Sequence, residues 1–170
     1  MTVTIETYLE DVIDDRLIPM LKEVSAVFTP AVKQVERYVK KTANPPFWWI
    51  YPGGVARSKL APRTRVLTYT VNMRLVLGYV EQTGYNGQLE GSLWTWLPTL
   101  ITYFEARRSL VYQAGQEPPQ STSGWLLDTE NVELLDMTPF GIFEDFMHVG
   151  VELPIVLPFK NIRFPLYGGN

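Results

Sequence analysis

The chain has 170 residues, of which 46% are hydrophobic and 19% charged, so it is long enough to bury the core of one domain and is not compositionally disordered. Its formal net charge of −3 gives no overall attraction to nucleic acid or to anionic membranes. Because the chain has no cysteine, disulfides, thiolate catalysis and cysteine-ligated zinc are excluded.

The sequence shows no sign of export or of membrane insertion. The N-terminal stretch MTVTIETYLEDVIDD is acidic and lacks the apolar core, flanked by basic residues, that marks a secretory signal. The chain contains no run of about 18 apolar residues, the length that a membrane-spanning helix needs. We therefore expect a soluble protein made in a cytoplasm.

The N-terminal part of the chain predicts helices. Apolar residues recur at helical spacing over residues 5–28, and Pro19 inside this pattern should kink the helix or split it in two. Pro30 suits the first turn of a further helix, which we expect to continue to about Lys41. These patterns predict an N-terminal helical arm over residues 1–29.

Two strands are predicted next. The stretch FWWIY, residues 47–51, is bounded by proline and glycine and is typical of a short strand, in which Trp48 and Trp49 point to opposite faces. This favours a packing role over a platform on which both tryptophans stack. A basic loop, GGVARSKLAPR, leads to residues 66–80, where strict alternation predicts a long strand with one buried face. Arg74 falls among the polar positions of that strand.

A long helix and two further strands complete the pattern. Residues 89–111 carry an apolar stripe at helical spacing, in which Pro98 should kink or restart the helix. The stretch WLLDTENVELLDM predicts either one strand interrupted near Thr129 or a tight hairpin.

Residues 147–159 alternate and predict a strand. In this register Leu153, Ile155 and Leu157 are buried, and the N–H groups missing at Pro154 and Pro158 face one side. Because proline cannot donate to a neighbouring strand, we expect this strand at an edge of the sheet.

The order of these elements predicts an α+β fold. We expect a mostly antiparallel sheet with helices packed on one face, in a single domain over residues 1–170. The N-terminal arm (1–29) is followed by an α+β core (30–160) and a C-terminal tail (161–170).

Charge is segregated along the chain into a basic stretch, residues 57–74, and an acidic stretch, residues 128–152. Either these are two solvated loops, or the two patches meet, within a chain or between chains. We predict a subunit interface in which the basic residues of one copy face the acidic residues of its neighbour. The predicted residues are Arg57, Lys59, Arg63, Arg65, Asp128, Glu130 and Glu133.

The residues do not favour catalysis or metal binding. His148 is the single histidine and lies in a predicted strand without a nucleophile signature beside it. Adjacent carboxylates, such as Glu144 and Asp145, do not converge on one substrate atom unless they pair across the fold. We predict that the protein is not an enzyme and binds no metal or cofactor.

Two other function classes remain open. The basic stretch, residues 57–74, could serve a nucleic-acid-binding module. The FWWIY aromatics could instead line the pocket of a small-molecule-binding enzyme subunit.

The order and pattern of the elements resemble a known family. An N-terminal helix is followed by PPFWWIYPGG, RVLTYTVNMRLVLGYV, LEGSLWTWLPTLITYFEARRSL and a closing GVELPIVLPF. In this order the chain resembles the tail terminator (tail completion) proteins of long-tailed bacteriophages over roughly residues 30–160. No motif is shared, so no functional residue is carried over. The helical arm of residues 1–29 departs from the compact family pattern, which leaves open another neck or head-tail joining protein.

The resemblance implies a structural role. Proteins of this family are small, α+β and cofactor-free, and they form a hexameric ring that caps the tail tube and joins it to the head connector. The implied partners are copies of the same chain, the tail tube protein and a head connector or stopper protein. DNA would pass through the lumen without specific binding, and no membrane is involved. The implied location is the tail or neck of the virion, after synthesis in the host cytoplasm.

Overall fold

A computed structural model of the chain describes residues 5–37, 44–61, 64–80, 87–107, 125–145 and 147–161.

One mixed sheet organises the described residues. Its strand order is β1-β2-β3-β7-β4, and β5 and β6 also pair with β7. All pairs are antiparallel except β1 with β2, so the prediction of an α+β fold with a mostly antiparallel sheet is confirmed. The strands are β1 (Gln34–Glu36), β2 (Phe47–Ala61), β3 (Thr64–Tyr79), β4 (Trp125–Leu127), β5 (Glu133–Leu134), β6 (Gly141–Ile142) and β7 (His148–Asn161).

The N-terminal helices pack onto this sheet. Helix α1 (Ile5–Val12) continues through a π-helical turn (Ile13–Leu17) into α2 (Ile18–Ser25), and Pro19 occupies the first turn of α2. The predicted interruption is therefore a widened turn directly before the proline, a common way to absorb a local misfit in a helix. Leu17 is fully buried, so the described part of the helical arm belongs to the core of the domain.

The helix predicted from Pro30 is wrong over the described residues. The chain is irregular at 31–33 and then forms β1, which pairs in parallel with the start of β2. Val32 is buried and Val35 packs against the core. The sequence pattern therefore identified the core residues correctly but assigned them the wrong secondary structure. Strand pairing has overridden the local helical spacing. The remainder of that predicted helix, residues 38–41, lies outside the described residues.

Helix α3 (Gly87–Ala106) covers the same face of the sheet as α1 and α2. Its side chains and those of the other helices join one face of the sheet in a single core, which confirms helices on one face. Pro98 lies inside the helix. The buried members of the predicted stripe are Leu93, Trp96, Leu100 and Phe104.

The basic loop predicted after FWWIY is wrong, because β2 continues through it to Ala61. The chain absorbs the glycines in a register shift between Pro52 and Gly54 and then pairs with β3. A long β2–β3 hairpin therefore replaces a short strand and a loop. Proline and glycine usually end a strand, but here β3 offers a continuous antiparallel partner.

The strand over residues 147–159 is confirmed, with bounds His148–Asn161, but its predicted place at the sheet edge is wrong. β7 lies between β3 on one side and β4, β5 and β6 on the other. The carbonyl groups of Pro154 and Pro158 accept hydrogen bonds from the backbone N–H groups of Leu135 and Asp128. Both missing donors do face one side, and that side carries short, interrupted strands that need only acceptors at these positions.

The interruption itself was predicted in one of two forms. β4 and β5 both pair with β7 and are separated by a 3-10 turn over Thr129–Asn131. One strand interrupted near Thr129, rather than a hairpin, is therefore the form observed.

Gly150 is the position where β3 and β7 approach too closely for a side chain. A Cβ atom built on Gly150 would lie 1.9 Å from the carbonyl oxygen of Leu75, beside the register shift between Val76 and Gly78. Gly150→Ala is expected to lower the free energy of unfolding by about 1–3 kcal/mol, because the backbone must move to admit the methyl group. Urea unfolding measures this change.

Gly54→Ala is the matched control for Gly150→Ala. A Cβ atom on Gly54 has no neighbour within 4 Å, so its effect should stay within about 0.5 kcal/mol. Equal unfolding midpoints for the two variants would contradict the close approach of β3 and β7.

Candidate interaction surfaces

The two charged stretches meet within the chain at one point, where Arg74 pairs with Asp145 and Glu152. Their other ends, at Arg57 beside β3 and at Asp128 after β4, lie at opposite edges of the sheet. Arg57 in β2 is opposite Leu67 in β3, which is opposite Phe159 in β7, which is opposite Leu127 in β4. Each of these three steps between strands spans about 4.8 Å. Arg57 is thus too far from the acidic stretch of its own chain to pair with it.

The predicted basic residues fall on the β2–β3 hairpin. Arg57 and Arg65 are exposed. Lys59 lies in β2 directly opposite Arg65, with its side chain outside the described part of the chain. Arg63 lies outside the described residues. The pairing brings the predicted basic positions of β2 and β3 side by side on the β2–β3 hairpin.

Asp128, one of the predicted acidic residues, is held within its own chain. Its Oδ2 atom accepts from Lys160 Nζ at 2.6 Å and from Asn131 Nδ2 at 2.7 Å, and its side chain is 8% exposed. Burial raises the pKa of Asp128, but the hydrogen bonds and charge of these partners lower it more, so the pKa lies below its ordinary value. Glu130 and Glu133 are exposed and remain on the surface.

A groove lies between α3 and the segment that holds β5. It has a volume of about 480 Å³ and includes Phe104, Leu153 and Ile155 among its apolar lining residues. Four acidic residues are also among its lining residues, so the groove is apolar in part and acidic in part. The acidic lining residues are Glu105, Glu130, Glu133 and Asp136.

A second hollow continues this groove along α3. It has a volume of about 460 Å³ and shares Ile101 and Met137 with the first hollow. Trp94, which is 86% exposed, lines the second hollow, and Leu135, which is also exposed, lines the first. Large exposed apolar side chains beside a groove are typical of a protein-binding surface. We refer to the two hollows together as the α3 groove.

The opposite face of the sheet carries an ionic cluster centred on Arg74. Arg74 Nε lies 3.0 Å from Glu152 Oε2, and Arg74 Nη1 lies 2.6 Å from Asp145 Oδ2. The hydroxyl of Tyr51 donates to Glu152 and accepts from Arg74 Nη2 at 3.0 Å. Burial, together with this hydrogen bond to Glu152, raises the pKa of Tyr51 to about 12. Arg74 itself is buried, although its polar position predicted a solvated side chain.

His148 completes this Arg74 cluster. Its Nδ1 atom lies 2.9 Å from Asp145 Oδ2, and its ring sits among the rings of Phe47, Trp49 and Tyr79. The residue is 1% exposed, and Nε2 has no hydrogen-bond partner among the described residues. An imidazole enclosed by aromatic rings is shielded from a substrate, so this Asp-His pair has the chemistry of a packed cluster rather than of a catalytic dyad.

Sequence reasoning located the charged stretches but missed the α3 groove and the Arg74 cluster. The groove depends on how α3 lies against the residues around β5, which no sequence pattern specifies. The cluster joins Tyr51, Arg74 and Glu152 from three neighbouring strands. The sequence gives one signal for this cluster. In each strand, the cluster residue alternates with the core residues and so points to the other face of the sheet.

Comparison with known protein families and with curated proteins gave no match. Within the described ranges, no helix combines the length and apolar character needed to cross a membrane. In the same ranges, no three histidine or carboxylate side chains come together in a way that could hold a metal.

Proposed function

We propose that this protein is a structural assembly protein whose copies form a closed ring. The observation that carries the proposal is the placement of a basic hairpin and an acidic groove at opposite edges of one sheet. A ring needs two different, complementary surfaces on each subunit, because each copy contacts one neighbour with each of them. A single self-complementary surface, used by both subunits, would instead favour a closed dimer.

The ring is assigned to a bacteriophage tail on the strength of the resemblance in element order. In this role it terminates the tail tube and joins it to the head connector, in the tail or neck of the virion. The ring is a hexamer by the same resemblance, and its neighbours are the tail tube protein and a connector or stopper protein. DNA passes through its lumen without specific binding, and the protein has no enzymatic activity and no cofactor.

The two other function classes gain less support from the described side chains. Trp48 donates its indole N–H to Ser25 Oγ at 2.8 Å inside the core, whereas Trp49 lies on the other face, near the guanidinium of Arg74. The two tryptophans therefore share no pocket. Of the basic stretch, Arg74 is paired with two carboxylates, which leaves less positive charge for nucleic acid.

Electron microscopy and light scattering of the purified protein test the ring. We expect discrete rings whose mass is a fixed multiple of the 19.5 kDa subunit, both alone and at one end of tail tubes added to the sample. A protein that stays monomeric as its concentration rises would overturn the proposal. Rings that do not bind to tail tubes would overturn the proposed terminator role but would remain consistent with a structural assembly protein. Monomers that bind DNA with a steep salt dependence would favour the nucleic-acid module.

A further inference from the structure

We propose that the β2–β3 hairpin of one copy docks in the α3 groove of the next copy. This inference rests on the proposed ring and names the two surfaces that would close it. The occupant is a second copy of this chain rather than an unrelated partner, because the hairpin and the groove are complementary in charge.

The groove is suited to an extended segment that carries both an apolar and a cationic side chain. Phe104, Leu153 and Ile155 supply an apolar lining, and Leu135 and Ile101 are partly open to solvent beside them. Among the other lining residues, Glu105, Glu130 and Asp136 bring negative charge, whereas Glu133 is opposite Val156 of β7 and points to the other face of the sheet. An apolar segment alone would leave these carboxylates desolvated and unpaired, which disfavours it.

The hairpin presents such a segment. Val55 is 56% exposed and Arg57, two residues later, is also exposed. Both point to the same side of β2, because residues two apart in a strand share a face. Among the described residues, β1 pairs only with Phe47–Trp49, so the outer edge of β2 has no partner strand alongside Val55 and Arg57. This part of β2 is therefore free to enter another subunit.

The donor and acceptor surfaces also lie on the same side of the sheet. Val55 and Arg57 are opposite Tyr69 and Leu67, which pack against the core beneath the helices. Since directly paired residues point to one face, Val55 and Arg57 face the helix side. The groove opens on that side too, since α3 forms one of its walls. Rotation about a ring axis normal to the sheet sets the β2 edge of one copy beside the far edge of the next, with Val55, Arg57 and α3 all on the same side of that junction.

Cross-linking between introduced cysteines tests the contact directly, because the chain has none of its own. The variant Val55→Cys/Ile101→Cys, treated with a short bismaleimide, should give a ladder of covalent multimers that ends at the ring size, because Ile101 is partly exposed on α3 and lines both hollows. Each single variant should stay monomeric on a denaturing gel. The matched control Val55→Cys/Val27→Cys, which also pairs two exposed valine-sized positions on the helix side, should give no ladder.

Charge reversal gives an independent measurement. Arg57→Glu should raise the subunit concentration needed for half-assembly about tenfold at low salt, because it places a negative charge among carboxylates. Lys33→Glu changes the net charge equally at another exposed position and should leave assembly unchanged. Adding Glu130→Lys to Arg57→Glu should restore part of the assembly, because Glu130 is exposed and lines the groove. The difference should shrink with salt, since screening acts over about 8 Å at physiological ionic strength.

The outcomes separate this contact from the proposed ring. Rings that form without the Val55–Ile101 cross-link, or that tolerate Arg57→Glu, overturn the docking of the hairpin and leave the ring in place. Cross-linked dimers from Val55→Cys alone would show a symmetric contact through β2 and would also overturn it. A wild-type chain that forms no oligomer overturns the ring and the docking together.

Discussion

Arg74→Ala is expected to lower the free energy of unfolding by about 3 kcal/mol. Removing one partner of a buried ion pair typically costs about 3–5 kcal/mol, because the remaining charge stays desolvated. The lower end of this range applies, since the side chains of Glu152 and Asp145 keep 14% and 30% of their exposure. Urea or thermal unfolding at neutral pH, at one fixed protein concentration, measures the change.

The effect of Arg74→Ala should become smaller in acid. Burial raises the pKa of Asp145. Two backbone N–H groups, of Met147 and His148, and two charges, of His148 and Arg74, lower this pKa by a larger amount. The pKa of Asp145 is therefore below its ordinary value. A lowered pKa stabilises the fold above the unfolded-state pKa, and this contribution is lost as the pH falls through the folded-state pKa. Without Arg74 the carboxylate of Asp145 is stabilised less, so the free energies of unfolding of wild type and variant should converge as the pH falls through the lowered pKa of Asp145.

Two further variants test whether a buried charge is the cause. Arg107→Ala removes an exposed arginine that lies 3.8 Å from Glu23, and it should cost about 1 kcal/mol or less. Arg74→Met/Glu152→Met removes both charges and should be more stable than Arg74→Met alone. If Arg74→Ala costs no more than Arg107→Ala, the cluster does not stabilise the domain.

Arg74 also shows where sequence patterns stop being informative. Alternation placed it on the face away from the apolar core, which is correct. It could not show that Tyr51, Asp145 and His148 converge on that face, because they come from β2, from the turn before β7 and from the start of β7. The register between strands decides this convergence, and register is a property of the assembled sheet.

The sheet was predicted best where alternation was long and least well where proline and glycine intervened. The core residues of β3 and β7 followed from period two alone. The extension of β2 beyond Gly54 did not, since the partner strand outweighs the breaker residues. The prolines of β7 were correctly expected to face one side. That side of β7 is occupied by short strands, and the residues directly after them donate to the proline carbonyl groups. The absence of a proline N–H group does not show whether such strands are present.

Leu157→Ala is the second large effect that we expect, at about 2–5 kcal/mol of unfolding free energy. Leu157 is fully buried in β7, opposite Tyr69 of β3, within the core beneath the helices. Truncation removes apolar contacts and leaves a cavity that a central strand cannot readily close, because neighbours on both sides hold its backbone.

Leu135→Ala is the matched control, since it makes the same chemical change at a leucine that is 40% exposed. It should cost well under 2 kcal/mol, because the methyl groups it removes are already partly in water. Equal unfolding costs for both leucines would mean that Leu157 does not lie in the core, where the register of β7 with β3 places it.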